Sequence, residues 1–136
     1  MTSRRHQARQ AALQALYLWE IGRTDAALAL DTLFAEHRPD APDNVREFAR
    51  ALVLGTTGEV ASLDQLIAAH SAHWRLERMA VIDRLILRMG AWELTHAPET
   101  PPAVVLNEAL ELARAFGSDD SVRFVNGVLD GIRKAL

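Results

Sequence analysis

Two helix-forming segments in the last third of the chain meet at a short polar corner. The first covers residues 103–116; Pro102 before it suits a first helical turn, and Gly117 after it is a helix stop signal. The second covers residues 119–135. Poor helix formers stand inside these apolar patterns, where packing or function must outweigh helix propensity. They are Asn107, Asn126 and Gly127.

Helical periodicity dominates the rest of the chain, and no segment alternates convincingly as a strand. A first helix carries a face of small residues spaced at i, i+3 and i+4 and ends at Gly22. The small side chains indicate that another segment packs close to this face. A second helix is predicted over residues 25–36, with Leu28, Leu33 and Phe34 facing inward. The face of the first helix consists of Ala8, Ala11, Ala12, Ala15, Leu16 and Trp19.

A third helical segment begins after a proline-containing loop, where Asp43 or Asn44 supplies the cap, and continues to Ile67. Two glycines interrupt it at residues 55–58. Such a GxxG sequence clamps nucleotides in KH domains, but the strands that flank it there are missing from this pattern, so close packing or a bend is favoured. A further helix is predicted over residues 77–95.

These patterns predict an all-α fold, a compact bundle of about six or seven helices in a single domain over residues 1–136. We expect two helical subbundles that divide near residue 72, where periodicity is weakest. The sequence has no cysteine, which excludes disulfides and thiolate metal sites and fits a reducing compartment, the cytoplasm. No apolar stretch approaches the length of about 18 residues that a membrane span requires.

The formal net charge of −3 conceals an asymmetry along the chain. Residues 1–19 contain three arginines and no acidic residue, so the rest of the chain carries the whole negative excess. A basic arm on an acidic body can hold a phosphate backbone locally while the remaining surface repels it. Three arginines that merely solvate the start of a helix would produce the same pattern, and charge by itself favours this simpler explanation.

Two histidine-containing motifs raise the question of a metal site. His70 and His73 are three residues apart, as are Glu93 and His96. A carboxylate-bridged bundle needs the Glu-x-x-His element twice, and it occurs once here, so we predict no metal site and no cofactor. The sequence also lacks a nucleophile elbow, a phosphate-binding loop and a dinucleotide fingerprint, which predicts that the chain is not an enzyme.

The sequence supports nucleic-acid binding more strongly than metal binding or catalysis. Single-stranded RNA is commonly gripped by cationic side chains together with a planar side chain on which a base stacks. Tyr17 and Phe124 are candidates for the stacking role, although residues of this kind more often belong to the core. Asn126 offers an amide that can bind the edge of a base. The cations that can project toward phosphates from the start of the first helix are Arg4, Arg5, His6 and Arg9.

The order and spacing of several passages resemble one family. They are Trp74-Arg-Leu-Glu-Arg78, Ile82-Asp-Arg-Leu-Ile-Leu-Arg88, Trp92-Glu-Leu94, the C-terminal passage through residues 124–130, and residues 9–17 near the front. Together they resemble the NusB family of bacterial transcription antitermination factors over nearly the whole chain.

The resemblance implies an all-helical protein that recognises the boxA element of nascent transcripts together with NusE, a small-subunit ribosomal protein, and helps RNA polymerase pass terminators during ribosomal RNA synthesis. Two departures from the family pattern are His6 and Gln7, where further arginines could stand, and Trp92, where tyrosine is expected. By resemblance the RNA-binding residues are Arg4, Arg5, Arg9, Asp120, Phe124 and Asn126. The partner-binding residues are Tyr17, Glu77, Arg78, Asp83 and Arg84.

Two other interpretations are carried forward. The alanine-rich face of the first helix could join two copies of the chain in a homodimeric scaffold without a role in RNA binding. A NusB-like domain also begins some ribosomal RNA cytosine methyltransferases, which continue into a cofactor-binding α/β domain. Because this sequence ends at Leu136, soon after its last predicted helix, we expect the adaptor and not the methyltransferase.

Overall fold

The computed structural model describes residues 3–72 and 74–136, and these residues form seven α-helices, one 3₁₀ helix and no strand. The all-α prediction is confirmed, with a helix count inside the expected range. The helices are α1 (Arg4–Gly22), α2 (Ala26–His37), α3 (Asp43–Gly58), α4 (Val60–His70), the 3₁₀ helix (Leu76–Arg78), α5 (Val81–His96), α6 (Pro102–Phe116) and α7 (Ser121–Ala135).

The helices form two compact units that divide between Gly58 and Glu59. The prediction of a boundary near residue 72 is therefore wrong. The boundary lies earlier because α4, which precedes residue 72, packs against α5 and α7 and so belongs to the second unit. The interruption predicted at residues 55–58 is present, because α3 ends at Gly58 and α4 begins at Val60.

The first unit is built on the small-residue face of α1, which packs against both α2 and α3. Ser3 caps this helix by accepting a hydrogen bond from the backbone N–H of His6 at 3.0 Å. At its other end Arg23 adopts a left-handed conformation, with φ of 54°, and ends the helix. The predicted alanines are fully buried, which allows the close packing that their size implied: Ala8, Ala11, Ala12 and Ala15.

One inward-facing residue of α2 was predicted wrongly. Leu28 is 57% exposed, whereas Leu33 and Phe34 are buried as expected. The buried stripe of this helix also includes Ala29 and Leu30, which lie one turn before the two predicted residues. Leu28 falls outside that stripe, and its backbone N–H donates to the capping carboxylate of Asp25 at 3.2 Å.

The second unit is organised around α5, which contacts α4, α6 and α7. Arg88 on α5 makes a two-pronged ion pair with Asp64 on α4, with N–O distances of 2.7 and 2.9 Å. The predicted start of this helix near residue 77 is wrong. The backbone of Met79 and Ala80 is extended, with ψ of 148° and 139°, and separates the 3₁₀ helix from α5.

Mid-helix glycines serve close packing at two positions of the second unit. A Cβ atom at Gly90 would lie 2.9 Å from Cδ1 of Leu129, and one at Gly131 would lie 3.2 Å from Nδ1 of His70. At Gly127, for which a close approach was expected, no described residue lies within 4 Å of an added Cβ. Contact with this chain's own backbone therefore does not explain that glycine, and a bound ligand remains as the predicted reason.

Candidate nucleic-acid interface

The second unit contains an open cavity of about 450 Å³ between the start of α7 and the segment that leads into α5. Its walls include residues predicted for RNA binding, Asp120 and Phe124, and residues predicted for partner binding, Arg78 and Asp83. The two predicted sets thus share one cavity in this unit. The remaining lining residues are Trp74, Met79, Ala80 and Arg123.

An aromatic pair forms one side of this cavity. The ring of Trp74 meets the ring of Phe124 edge to face, with centroids 6.3 Å apart and planes at 71°. Trp74 is 60% exposed, while Phe124 is half-buried. Sequence reasoning used Trp74 as a family marker and missed it as a site residue. The available signal was a large aromatic residue in a connection without helical periodicity.

A hydrogen-bonded corner between α5 and the start of α7 adjoins the cavity, which Asp83 and Asp120 line. Ser121 is buried, and its hydroxyl donates to Oδ1 of Asp83 at 2.5 Å while accepting from the backbone N–H of Ser118 at 2.9 Å. A Cβ atom on Gly117 would lie 2.5 Å from the Ser121 hydroxyl oxygen, so glycine makes room for this corner. Asp83 is consequently a largely buried residue that this corner holds in place, and its role in partner binding stays a prediction.

The other partner-binding candidates of this unit divide into two groups. Arg84 is half-buried, and its Nη1 donates to the backbone carbonyl of Leu76 at 3.0 Å, so it holds the 3₁₀ helix against α5. Glu77 and Arg78 are exposed. The carboxylate of Glu77 lies 3.9 Å from the guanidinium of Arg75, a solvent-exposed pair that contributes little to stability.

The basic arm lies in the first unit, where it meets α3. The guanidinium of Arg5 sits over the ring of Phe48, 3.9 Å from its centroid, and Nη1 of Arg4 donates to Oδ1 of Asn44 at 3.3 Å. Both arginines are exposed. They line a depression of about 350 Å³ with Asn44, Glu47, Phe48 and Ala51.

Arg9 does not join this exposed pair. Arg9 is 2% exposed, and its guanidinium carbon lies 5.2 Å from the centroid of the Phe48 ring. The expectation that Arg9 projects into solvent is wrong, because the helix places it on the face that packs into the unit. His6 is half-buried, with Nε2 3.2 Å from Nε2 of Gln10.

Two predicted residues lie at other exposed positions. Tyr17 on α1 is 43% exposed, so it is available as a contact residue of the first unit. Asn126 on α7 is exposed next to Gly127. The second unit therefore combines, on one helix, a half-buried aromatic ring at Phe124 and an exposed amide.

Titratable groups give few further candidates for chemistry. In residues 3–72 and 74–136 no group of three or more histidine or carboxylate side chains could hold a metal ion, and His73 lies outside the described residues. The ring of His96 stacks on Trp92, with centroids 5.7 Å apart. Hydrogen bonds from Arg133 and Lys134 lower the pKa of Asp130 below its ordinary value.

No described helix is both long and apolar enough to cross a membrane.

The comparison with protein families gives one match that spans almost the whole chain, the NusB family, over residues 6–134. This chain belongs to the NusB family. The predicted family is thereby confirmed. A similar relative is the transcription antitermination protein NusB of Sorangium cellulosum, 46% identical over 132 residues that cover 97% of this chain and 93% of the relative. The NusB of Myxococcus xanthus is 44% identical over 135 residues, covering 97% and 96%.

Solved structures of the family share the fold of this chain. T. maritima NusB has a TM-score of 0.89 at 32% identity and covers 98% of this chain and 93% of its own. A NusB in a complex of antitermination factors NusB and NusE with double-stranded RNA has a TM-score of 0.90 at 26% identity, with full coverage of both chains. The NusB-like all-α architecture is therefore confirmed.

Proposed function

We propose that this chain is a non-catalytic RNA-binding adaptor in transcription antitermination. It binds boxA-type single-stranded RNA together with NusE during ribosomal RNA transcription, within the RNA polymerase antitermination complex of the cytoplasm, and it uses no cofactor. Family membership supports this proposal, as does the similarity to a NusB that was solved with NusE and RNA. The RNA of that complex is double-stranded. We propose single-stranded RNA for this chain because an exposed aromatic face binds an unstacked base.

The observation that carries the proposal is the exposed pair of arginines beside the ring of Phe48 in the first unit. In the first unit Arg4 and Arg5 face solvent beside Phe48 and provide phosphate contacts, with His6 next to them. Arg9 is buried on the same ring, so we assign it the role of positioning Phe48. In the second unit we assign RNA contacts to Asp120, Phe124 and Asn126.

The partner surface follows from exposure. Tyr17, Glu77 and Arg78 are exposed and serve as direct contacts with NusE. Asp83 and Arg84 support those contacts from below, through their bonds to Ser121 and to the backbone of Leu76. Because the arm keeps two arginines exposed, its electrostatic contribution to RNA binding is small, and tight binding requires the partner to extend the contact surface.

The non-catalytic assignment is consistent with the cavity of the second unit. Ser121 lies beside that cavity, and it is 1% exposed and hydrogen-bonded to Asp83 and Ser118. Catalysis at a hydroxyl requires a nucleophile that can reach the substrate. The buried serine lacks that access.

The proposal is tested by titrating boxA-like RNA into the protein with and without NusE, at two salt concentrations. We expect weak, salt-sensitive binding by the chain itself and tight binding with NusE. No binding under either condition would contradict the proposal and favour the homodimeric scaffold, which light scattering would then detect. The single domain over residues 1–136 stays a prediction, and one cooperative unfolding transition would support it.

A further inference from the structure

The exposed indole of Trp74 lines the cavity of the second unit and has no part in the RNA and NusE contacts proposed so far. It lies on a connection outside the RNA-binding passage of α7, yet its ring contacts Phe124. A tryptophan that is 60% exposed beside a cavity of about 450 Å³ presents a large flat face to a ligand.

The backbone that carries this indole is held in place. The N–H of Trp74 donates to the carbonyl of Ser71 at 3.1 Å, and the carbonyl of Trp74 accepts from the Ser71 hydroxyl at 2.9 Å. Ser71 itself is buried. Ala72 adopts a left-handed conformation, with φ of 56°, which is unfavourable for a residue with a Cβ. The strained backbone of Ala72 is thus accompanied by two hydrogen bonds that fix the backbone of an exposed aromatic residue.

The shape of the aromatic pair suits a planar ligand. The two ring planes meet at 71°, so the exposed indole and the ring of Phe124 present two differently oriented aromatic surfaces at the cavity. Nucleic-acid bases stack on aromatic side chains in proteins that recognise single strands. Phe124 supplies the second wall and is itself half-buried on α7.

The charges around the aromatic pair favour a base over an apolar peptide side chain. Arg78 and Arg123 place guanidinium groups at the cavity, where they can donate to base carbonyls or to a phosphate. Asp120 places an exposed carboxylate there, which can accept from an exocyclic amine of a base. An apolar side chain would form no hydrogen bond with any of these three groups.

We propose that Trp74 and Phe124 form a pocket for one unstacked RNA base, with Arg123 and Asp120 reading its edge. This inference rests on the proposed function, since it assigns a subsite for the same RNA. Trp74 is then a binding residue that completes the surface begun by Phe124 and Asn126.

The test uses the full chain and a boxA-like single-stranded RNA with 2-aminopurine at one position at a time. Trp74→Ala is expected to weaken RNA binding about tenfold, because one base–aromatic stack is lost. The salt dependence should not change, since no charge is removed. One 2-aminopurine position should be quenched by the wild-type protein and less by the variant.

Three further variants make the result specific. Trp74→Phe keeps a ring and should retain most of the affinity, whereas Trp74→Leu keeps apolar bulk and should lose it as alanine does. Trp74→Leu also replaces the alanine variant if the latter melts early. Phe116→Ala removes another exposed aromatic residue of this unit that does not line the cavity, and it should bind RNA as the wild type does.

Wild-type affinity in both Trp74→Ala and Trp74→Leu would overturn the pocket while leaving the proposed function intact. So would normal RNA binding with lost NusE binding, because the cavity would then hold a protein side chain. Absence of RNA binding by the wild-type protein, by Phe116→Ala and in the presence of NusE would overturn both the pocket and the proposed function.

Discussion

Ser121 at the start of α7 donates its hydroxyl hydrogen to the buried carboxylate of Asp83 on α5, at an oxygen–oxygen distance of 2.5 Å. These residues are 38 positions apart in the sequence. The bond joins the start of α7 to α5, so it fixes Asp83, which lines the cavity. A charge-assisted bond of this kind in a buried place contributes more than a bond between neutral groups.

Replacing Ser121 with alanine removes this donor and leaves a buried carboxylate with one partner fewer. We expect the free energy of unfolding to fall by about 1–3 kcal/mol, measured by urea denaturation. Ser118→Ala is the comparison variant, because it removes the 3.2 Å contact between the two serine hydroxyls but retains both the backbone N–H that donates to Ser121 and the bond from Ser121 to Asp83, so it should cost less. Equal stability of Ser121→Ala and the wild type would show that the bond contributes nothing net.

The exposed partner contact is best tested at Glu77, since Asp83→Lys would bury an ammonium group in the corner and unfold it. We expect Glu77→Lys to weaken NusE binding while the melting temperature and the RNA affinity of the chain without NusE are not reduced. Glu99→Lys introduces the same charge change at an exposed position of the second unit outside the predicted sets. Similar NusE binding by both variants in calorimetric titrations would contradict the assigned surface.

The two arginines that contact Phe48 should behave differently in RNA titrations. Arg5→Gln removes an exposed charge, so the salt slope of RNA binding should become shallower by about 0.7, the value for one phosphate contact to a single strand. Arg9→Gln removes a buried guanidinium, so it should lower the melting temperature and leave the slope unchanged. A shallower slope for a folded Arg9→Gln variant would mean that Arg9 reaches a phosphate in the complex.

Gly127 and Gly90 should respond in opposite ways to alanine. At the exposed Gly127 an added Cβ meets open space, so Gly127→Ala should stabilise the fold by about 0.5–1 kcal/mol through helix propensity. RNA binding should nevertheless weaken if RNA approaches this backbone. Gly90→Ala should destabilise by about 1–3 kcal/mol because its Cβ overlaps the buried Leu129. A Gly127→Ala variant that melts higher and binds RNA fully would refute the ligand explanation.

Asp130 should make stability depend on pH in the acidic range. Its pKa is lowered, first by the hydrogen bond from Arg133 and then by that from Lys134, so the folded state favours the ionised carboxylate. The stabilisation is present above the ordinary pKa of 3.8 and is lost as the pH falls through the lower folded value. In thermal melts, Asp130→Asn should be less stable than the wild type at about pH 6, with the difference shrinking toward about pH 3. A difference independent of pH would exclude this origin.

Much of the helical architecture followed from the sequence by itself. The alanine face of α1, the stop at Gly22, the proline at the start of α6 and the break after residues 55–58 are local signals, and the helices begin and end close to them. Such signals act within one or two turns because they depend on backbone preference and on the nearest side chains. Family membership was predicted from the order and spacing of the sequence passages that resemble the NusB family, and the comparisons confirmed it.

Tertiary structure decided what local pattern could not. Arg9 looks like an arm residue in the sequence, but its position on α1 places it against Phe48 of α3. The helix expected from residue 77 begins at Val81, because Met79 is buried with an extended backbone. The pairing of Trp74 with Phe124, and of Asp83 with Ser121, brings together residues from distant parts of the chain. Those contacts exist because α5 and α7 bury their apolar faces against each other, and burial depends on the partner that a helix meets as much as on its own sequence.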